Sequence, residues 1–322
     1  MRVVILGGGG FLGQKLARAL AGQGRLCGTA ITSILLADLA APPAVTSEFP
    51  VETVALDITE AGAVAKALSD ADVVYHLAAI VSGQAEAEFD LGVRINLQGS
   101  LNVFEAARAS GRTPITVFTS SVVVYGGEVP DPIEDWSALN PQTSYGTQKA
   151  AAELLLNDYS RKGFLDGRGV RLPTITIRPG KPNAAASGFM SSIFREPLQG
   201  QASNCPVSED YPIWHSAPRT VIRNLLHAAE VDAADLGLNR CFALPGRTDS
   251  VRAMIDAMTR VAGPDPEERI TWNPDPAVTA VVGSWRAHIN PSKALALGFR
   301  ADKSFEDSVR WFLEDDATPV SA

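Results

Sequence analysis

Along the first half of the chain, short apolar runs alternate with longer stretches of helical period. The run "RVVIL" (2–6) precedes a helical pattern over 11–23, and "ILLAD" (34–38) and "VETVALD" (51–57) precede another over 59–69. "DVVYHLA" (72–78) leads into "LGVRINLQGSLNVFEAARAS" (91–110), and "ITVFTSS" (115–121) into "TSYGTQKAAAELLLNDYS" (143–160). After these, "LPTITIR" (172–178) reads as a further strand. Strands that are apolar on both faces need a covering layer on each side, and the intervening helices supply it. The pattern predicts an α/β fold built on a doubly wound parallel sheet.

Past Arg178 the alternation gives way to loops and turns in "PGKPNAAASGFMSSIFREPLQGQASNCPVSEDYPIW". A helix over about 217–230, a strand in "NRCFALP", a helix over 250–261 and a closing helix "FEDSVRWFLED" complete the chain. There is no repeat, low-complexity tract or long linker. The expected organisation is a nucleotide-binding domain over 1–178, to which segments of about 214–246 return. A smaller, interleaved region over 179–322 is expected to bind the substrate.

Composition narrows the partners. A formal charge of −8 over 322 residues supplies no basic stripe for a nucleic-acid backbone, so a small molecule is the better partner. The three cysteines, Cys27, Cys205 and Cys241, are far apart and without clustered histidines, which suggests neither a disulfide framework nor a metal site. "MRVVILGGGG" enters a strand directly, and its apolar run is too short for a signal peptide or membrane span. A cytoplasmic protein without a membrane partner is the expectation.

Between the first strand and first helix stands "LGGGGFLG", which sets Gly7, Gly10 and Gly13 three apart. Glycines there allow a tight turn and let a pyrophosphate approach main-chain amides at the positive end of a helix. A plain strand-to-helix turn is the alternative, but the βαβ context is the one a dinucleotide motif demands, so the sheet reads as Rossmann-type. Asp38, ending the second strand, can accept both ribose hydroxyls of an adenosine and would repel a 2′-phosphate, which favours NAD over NADP. Otherwise it is a turn cap. Asp57 faces either an adenine amino group or a helix start, where Thr59 is itself a cap candidate.

On the helix over 143–160, Tyr145 and Lys149 lie at i and i+4, so a phenol and an ammonium share one face. Two surface residues four apart would be unremarked. An ammonium beside a phenol, however, lowers the phenol from its ordinary pKa of about 10 and makes it a usable base. Ser121 ends the fifth strand at the carboxyl edge of the sheet, where side chains face a bound ligand.

In these ordered features the chain resembles the extended short-chain dehydrogenase/reductase family, whose members include NAD-dependent epimerases and dehydratases. The family's glycine motif, strand-five serine, Tyr-x-x-x-Lys and "RPG" appear as Gly7, Gly10 and Gly13, Ser121, Tyr145 with Lys149, and Arg178-Pro179-Gly180. The resemblance implies that Tyr145 is the general base, that Lys149 depresses its pKa and binds the nicotinamide ribose, and that Ser121 holds the substrate oxygen. It also implies that Phe11, Leu12, Ile58, Leu77, Ala78, Ala79, Asn96, Pro179 and Gly180 join Asp38 and Asp57 around the cofactor. His76 reads as a packed strand residue. Asn96 positions the loop after strand four or a water, or is a solvated helix residue. A homodimer through helices 94–109 and 145–160 is implied too; Leu101, Phe104, Leu154 and Leu155 suit either that contact or the core.

Departures from the family pattern narrow the reaction. Dehydratases place an Asp-Glu pair after the strand-five hydroxyl residue, where this chain has Val122 and Val123. An asparagine common three residues after the strand-six arginine is replaced by Lys181, a cation suited to a carboxylate; Arg195 is a second candidate or a structural ion pair. Asn183 is a further candidate for the substrate pocket. Trp214, His215 and Arg219 belong either there or to core and structural contacts. The stretch from "RPGK" to "YPIWHSAPRT" resembles the branch that oxidises the C2 hydroxyl of a four-carbon sugar acid, D-erythronate, with NAD. The competing readings are a nucleotide-sugar 4-epimerase that keeps its NAD bound, and a cofactor-sensing module without chemistry.

Overall fold

The structure, a computed structural model, describes residues 1–180, 186–283 and 285–317. Two compact units divide the chain: Met1–Val124 with Pro141–Arg171 and Ile222–Ala243, and Tyr125–Asn140 with Leu172–Val221 and Leu244–Ala322.

The first unit is built on a parallel sheet of seven strands: β1 (Arg2–Leu6), β2 (Ser33–Asp38), β3 (Val51–Ala55), β4 (Val73–His76), β5 (Ile115–Ser121), β6 (Asp166–Leu172) and β7 (Cys241–Ala243). Their spatial order is β3-β2-β1-β4-β5-β6-β7, so the chain winds outward from β1, then returns to its other side at β4. This is the doubly wound Rossmann-type order, with a crevice at the carboxyl ends of β1 and β4. Helices α1 (Phe11–Gln23), α2 (Ala61–Leu68), α3 (Ser100–Ser110) and α4 (Ser144–Arg161) come after β1, β3, β4 and β5 respectively. Val4, Leu6, Val74, Phe104, Phe118 and Leu156 are fully enclosed in its core. Phe104 therefore belongs to the core, whereas Leu154 on α4 is 67% exposed.

The sixth sheet strand is not "LPTITIR" but the preceding "DGRGVRL". Its hidden signal has a physical reason: two of its buried positions are arginines rather than aliphatics. Arg168 donates from Nε to the Ala228 carbonyl and from Nη2 to that of Val231, each at 2.9 Å, and Arg171 is paired with Glu153. Gly169 faces β7, where a Cβ would run into the Cys241 side chain. Thr174–Ile175 instead joins a three-stranded sheet of the second unit, pairing in parallel with Pro212–Ser216, itself antiparallel to Arg247–Ser250.

Helices α5 (Phe189–Leu198), α6 (Val251–Ala262) and α7 (Phe305–Asp315) form the second unit's core through Ile193, Phe194, Met254, Ile255, Phe305 and Val309. The Phe194 and Phe305 rings meet with centroids 4.8 Å apart. Among the described residues no helix is long and apolar enough to cross a membrane.

Candidate active site

The turn from β1 into α1 is held open by what its glycines lack. Gly7 has φ of 87°, and a Cβ there would stand 2.7 Å from the Ala78 amide nitrogen. A Cβ on Gly13 would strike the Gly7 carbonyl, so α1 packs against the loop only because that position is bare. No side chain caps the helix, whose Phe11 and Leu12 amides open its first turn. Backbone donors at the end of a 13-residue helix, beside a close-packed glycine loop, fit a dinucleotide pyrophosphate. Asp38 lies at the rim and accepts from the Gly9 amide (2.9 Å) and the Leu39 amide (2.8 Å), fixing its carboxylate beside the loop.

Asp57 forms a local turn, accepting from the Thr59 amide at 2.8 Å; α2 begins later, after Glu60, so neither Asp57 nor Thr59 caps it. The side chain of Ile58 is buried against Gly99, and its carbonyl accepts from Asn102. Leu77, Ala78 and Ala79 continue from β4 and are partly buried at the Gly7 approach. Asn96 sits in a π-helical turn, Val93–Gly99, and is fully buried. Its Oδ1 accepts from the Ile80 amide at 2.9 Å, and its Nδ2 donates to the Ile80 carbonyl and, at 2.8 Å, to Gln148 Oε1. It thus ties the loop after β4 to α4, which excludes the solvated alternative. A π turn shifts side-chain direction locally, which aims this amide inward.

The chemistry-bearing residues of the first unit meet where β5 gives way to α4. Thr143 caps α4, its Oγ1 accepting from the Gly146 amide at 3.1 Å. Gly146, between Tyr145 and Lys149, lets the helix lie against the turn after β5: a Cβ there would stand 2.5 Å from the Val123 carbonyl. Ser121 Oγ accepts from the Val123 amide at 3.3 Å. Lys149 is 1% exposed, and its Nζ donates to the Thr119 carbonyl at 2.9 Å, 4.7 Å from the Phe118 ring centroid and 5.8 Å from that of Tyr145.

Burial, not the neighbouring ammonium, dominates the electrostatics of the pair. It pushes the Tyr145 phenol up to about 12, the reverse of the lowering expected from Lys149 alone, and drives Lys149 down to about 7 against the pull of Glu153. His76 is a packed strand residue: Nε2 lies 2.9 Å from Ser100 Oγ, its ring contacts those of Phe104 and Phe118, and burial lowers it to about 3.

In the second unit, several substrate candidates have structural partners. Arg195 is 4% exposed, pairs with Glu196 at 2.5 Å and donates to the Arg178 carbonyl at 3.0 Å, so the ion-pair alternative accounts for it. Arg219 is clasped by Glu314 and Asp315 over the Trp311 ring. His215 is buried, with Nε2 2.9 Å from Asp249 Oδ2, and Trp214 is buried on the same strand. Arg178 donates to Ser187 and Ser191. Gly180 is exposed with φ of 82°, and Pro179 is partly buried. Lys181 and Asn183 lie outside the described residues.

Residues 3–238 match the NAD dependent epimerase/dehydratase family, over the span that holds the glycine loop, Ser121, Tyr145 and Lys149. The chain belongs to this family. Two relatives are similar almost end to end. One, a D-erythronate dehydrogenase of Cupriavidus necator, is 48% identical over 98% of each chain. The other, a D-erythronate dehydrogenase of Haemophilus influenzae, is 42% identical over 98% of this chain and all of that one. A crystal structure described as a nucleoside-diphosphate-sugar epimerase from Agrobacterium tumefaciens superposes with a TM-score of 0.94. It is 43% identical, covering 98% of this chain and 94% of the other. As a member of this family the protein uses a nicotinamide dinucleotide as an oxidoreductase cofactor. Gln148 and Glu153, both buried on α4, escaped the sequence reading, although the i+4 spacing of Glu153 from Lys149 in "KAAAE" was visible.

Proposed function

We propose that the protein oxidises the C2 hydroxyl of a small sugar acid, D-erythronate, to 2-dehydro-D-erythronate, with NAD. The observation that carries this reading is the near-full-length likeness to two D-erythronate dehydrogenases. When bound, the oxidised nicotinamide supplies the hydride acceptor and a fixed positive charge. Tyr145 takes the hydroxyl proton as the C2 hydrogen departs, and Ser121 Oγ holds the substrate oxygen. A phenol raised to about 12 by burial needs positive charge close by to act as a base, and Lys149 supplies the protein's share. Gly7, Gly10 and Gly13, with the Phe11 and Leu12 amides, hold the pyrophosphate; Asp38 receives the adenosine ribose and disfavours NADP. Lys181 is proposed for the substrate carboxylate. The protein acts in the cytoplasm as a homodimer through α3 and α4, a reading supported by the exposure of Leu154.

The description of the Agrobacterium structure motivates one rival, a nucleotide-sugar epimerase that would return the hydride to its substrate each turnover. Val122 and Val123 replace the acid pair expected of a dehydratase, so elimination has no support. Following NADH absorbance with a panel of four- to six-carbon aldonates, using NAD and NADP in parallel, tests the proposal. Steady NADH formation with D-erythronate and NAD is expected. Epimerisation of a nucleotide sugar without net NADH would sink it. Tyr145→Phe should lower turnover by about 10²–10⁴-fold while NAD binding stays nearly unchanged; retained turnover would remove Tyr145 as the base.

A further inference from the structure

Lys149 presents a problem that its own contacts do not solve. Its ammonium is enclosed, yet among the described residues no carboxylate forms an ion pair with it, and the Thr119 carbonyl is its hydrogen-bond acceptor. A buried ammonium in that position favours losing its proton. One helical turn further along the same enclosed face stands Glu153, 1% exposed. A lone buried carboxylate would equally favour neutrality, but Glu153 is locked by Arg171 of β6. Arg171 Nε reaches its two oxygens at 3.0 and 3.1 Å, and Nη2 reaches Oε2 at 2.7 Å. This two-pronged geometry fixes the carboxylate in place and pairs it with a guanidinium.

We propose that Glu153, fixed by Arg171, is a positioning residue of the reaction: its buried negative charge keeps the Lys149 ammonium protonated beside Tyr145. The proposal rests on the assignment of Tyr145 and Lys149 as the proton-transfer pair. The groups facing Lys149 are Tyr145 and Glu153 on α4, His76 on β4, and the Thr119 carbonyl and Phe118 ring on β5; Arg171 stands behind Glu153. His76 is neutral there, so Glu153 supplies the negative charge that opposes the desolvation of Lys149. Hydrogen bonding to Arg171 orients the carboxylate without removing that charge.

The test is the pH profile of kcat/KM in the intact enzyme carrying Glu153→Gln, which keeps shape and removes charge. Above the pH at which Lys149 titrates, the rate should fall about tenfold for each unit its pKa drops, and the limb reporting Lys149 should move to lower pH. Glu153→Asp should restore most of the rate and return the limb toward its original position. Should Glu153→Gln leave Arg171 uncompensated and the chain unfolded, the double variant Glu153→Gln/Arg171→Met, which removes both buried charges, is expected to fold and show a smaller displacement in the same direction, because the Arg171 cation is removed as well. A folded variant with an unmoved profile, or one slowed equally at every pH, overturns the proposal. Tyr145→Phe and Lys149→Met, measured alongside, separate the two readings. If both abolish turnover while the Glu153→Gln profile stays in place, only the role of Glu153 falls; if either retains full turnover, the pair itself is misassigned.

Discussion

Lys149 shows at the scale of one residue how function and stability conflict. The i, i+4 spacing from Tyr145 was legible in the sequence, because periodicity alone puts both on one face. Their enclosure was not, since spacing says nothing about the surrounding dielectric. That enclosure drives Lys149 from its ordinary 10.5 to about 7. Between those values the unfolded chain holds a proton that the folded chain does not, so this residue makes stability rise with pH across the interval. Below it, both states are charged and the native state bears the full desolvation cost. Lys149→Met should therefore raise the unfolding free energy near pH 6 by about 1–3 kcal/mol, less near pH 10, while abolishing turnover. Urea unfolding at the two pH values measures it. An equal gain at both would mean that the side chain's shape, not its charge, is what strains the fold.

At the scale of elements, legibility depended on whether a segment announced itself by apolar residues. The β1 turn did, through glycines in a strand-to-helix context, and the structure gives Gly7 and Gly13 a steric reason. Gly13 meets the Gly7 carbonyl, a backbone atom that cannot swing aside, whereas Gly22 in the same helix has nothing within 4 Å. Gly13→Ala should then cost about 1–3 kcal/mol and weaken NAD binding at least about tenfold. Gly22→Ala should instead stabilise by up to about 1 kcal/mol. Thermal melting and NAD titration of the two variants check this; similar behaviour of both would argue against a close-packed loop. β6 did not announce itself, because the arginines that betray a surface in most strands are here enclosed and paired. The π turn around Asn96 was hidden for another reason: "LGVRINLQGS" satisfies an ordinary helical period, and the extra residue in the turn leaves no compositional mark.

At the scale of the molecule, alternation of strands and helices was enough to place the first five strands of the sheet, but not the partition of the chain. Residues 125–140 lie between Ser121 and Tyr145 in sequence yet belong to the other unit, and no linker composition marks the crossing. They pair instead with a distant strand, Ile133 and Glu134 opposite Ile289 and Asn290. The two units also differ in how they answer acid. In the first, His76 sits at about 3 against an ordinary 6.5. As pH falls through 6.5 the unfolded chain gains a proton there that the folded chain refuses, and stability drops at up to roughly 1.4 kcal/mol per pH unit until about 3. In the second, hydrogen bonds from His215 and Arg247 hold the Asp249 carboxyl at about 2 rather than 3.8. Its contribution is complete above 3.8 and is lost only as pH falls through about 2. Moving from about pH 7 to about pH 5 should therefore weaken the first unit by about 2 kcal/mol and leave the Asp249 contribution intact. Hydrogen exchange corrected for its intrinsic pH dependence should show protection falling in β4, β5 and α4 while α6 and α7 hold. Parallel loss in both units would show that they unfold as one cooperative body, with the titration of His76 spread over the whole chain.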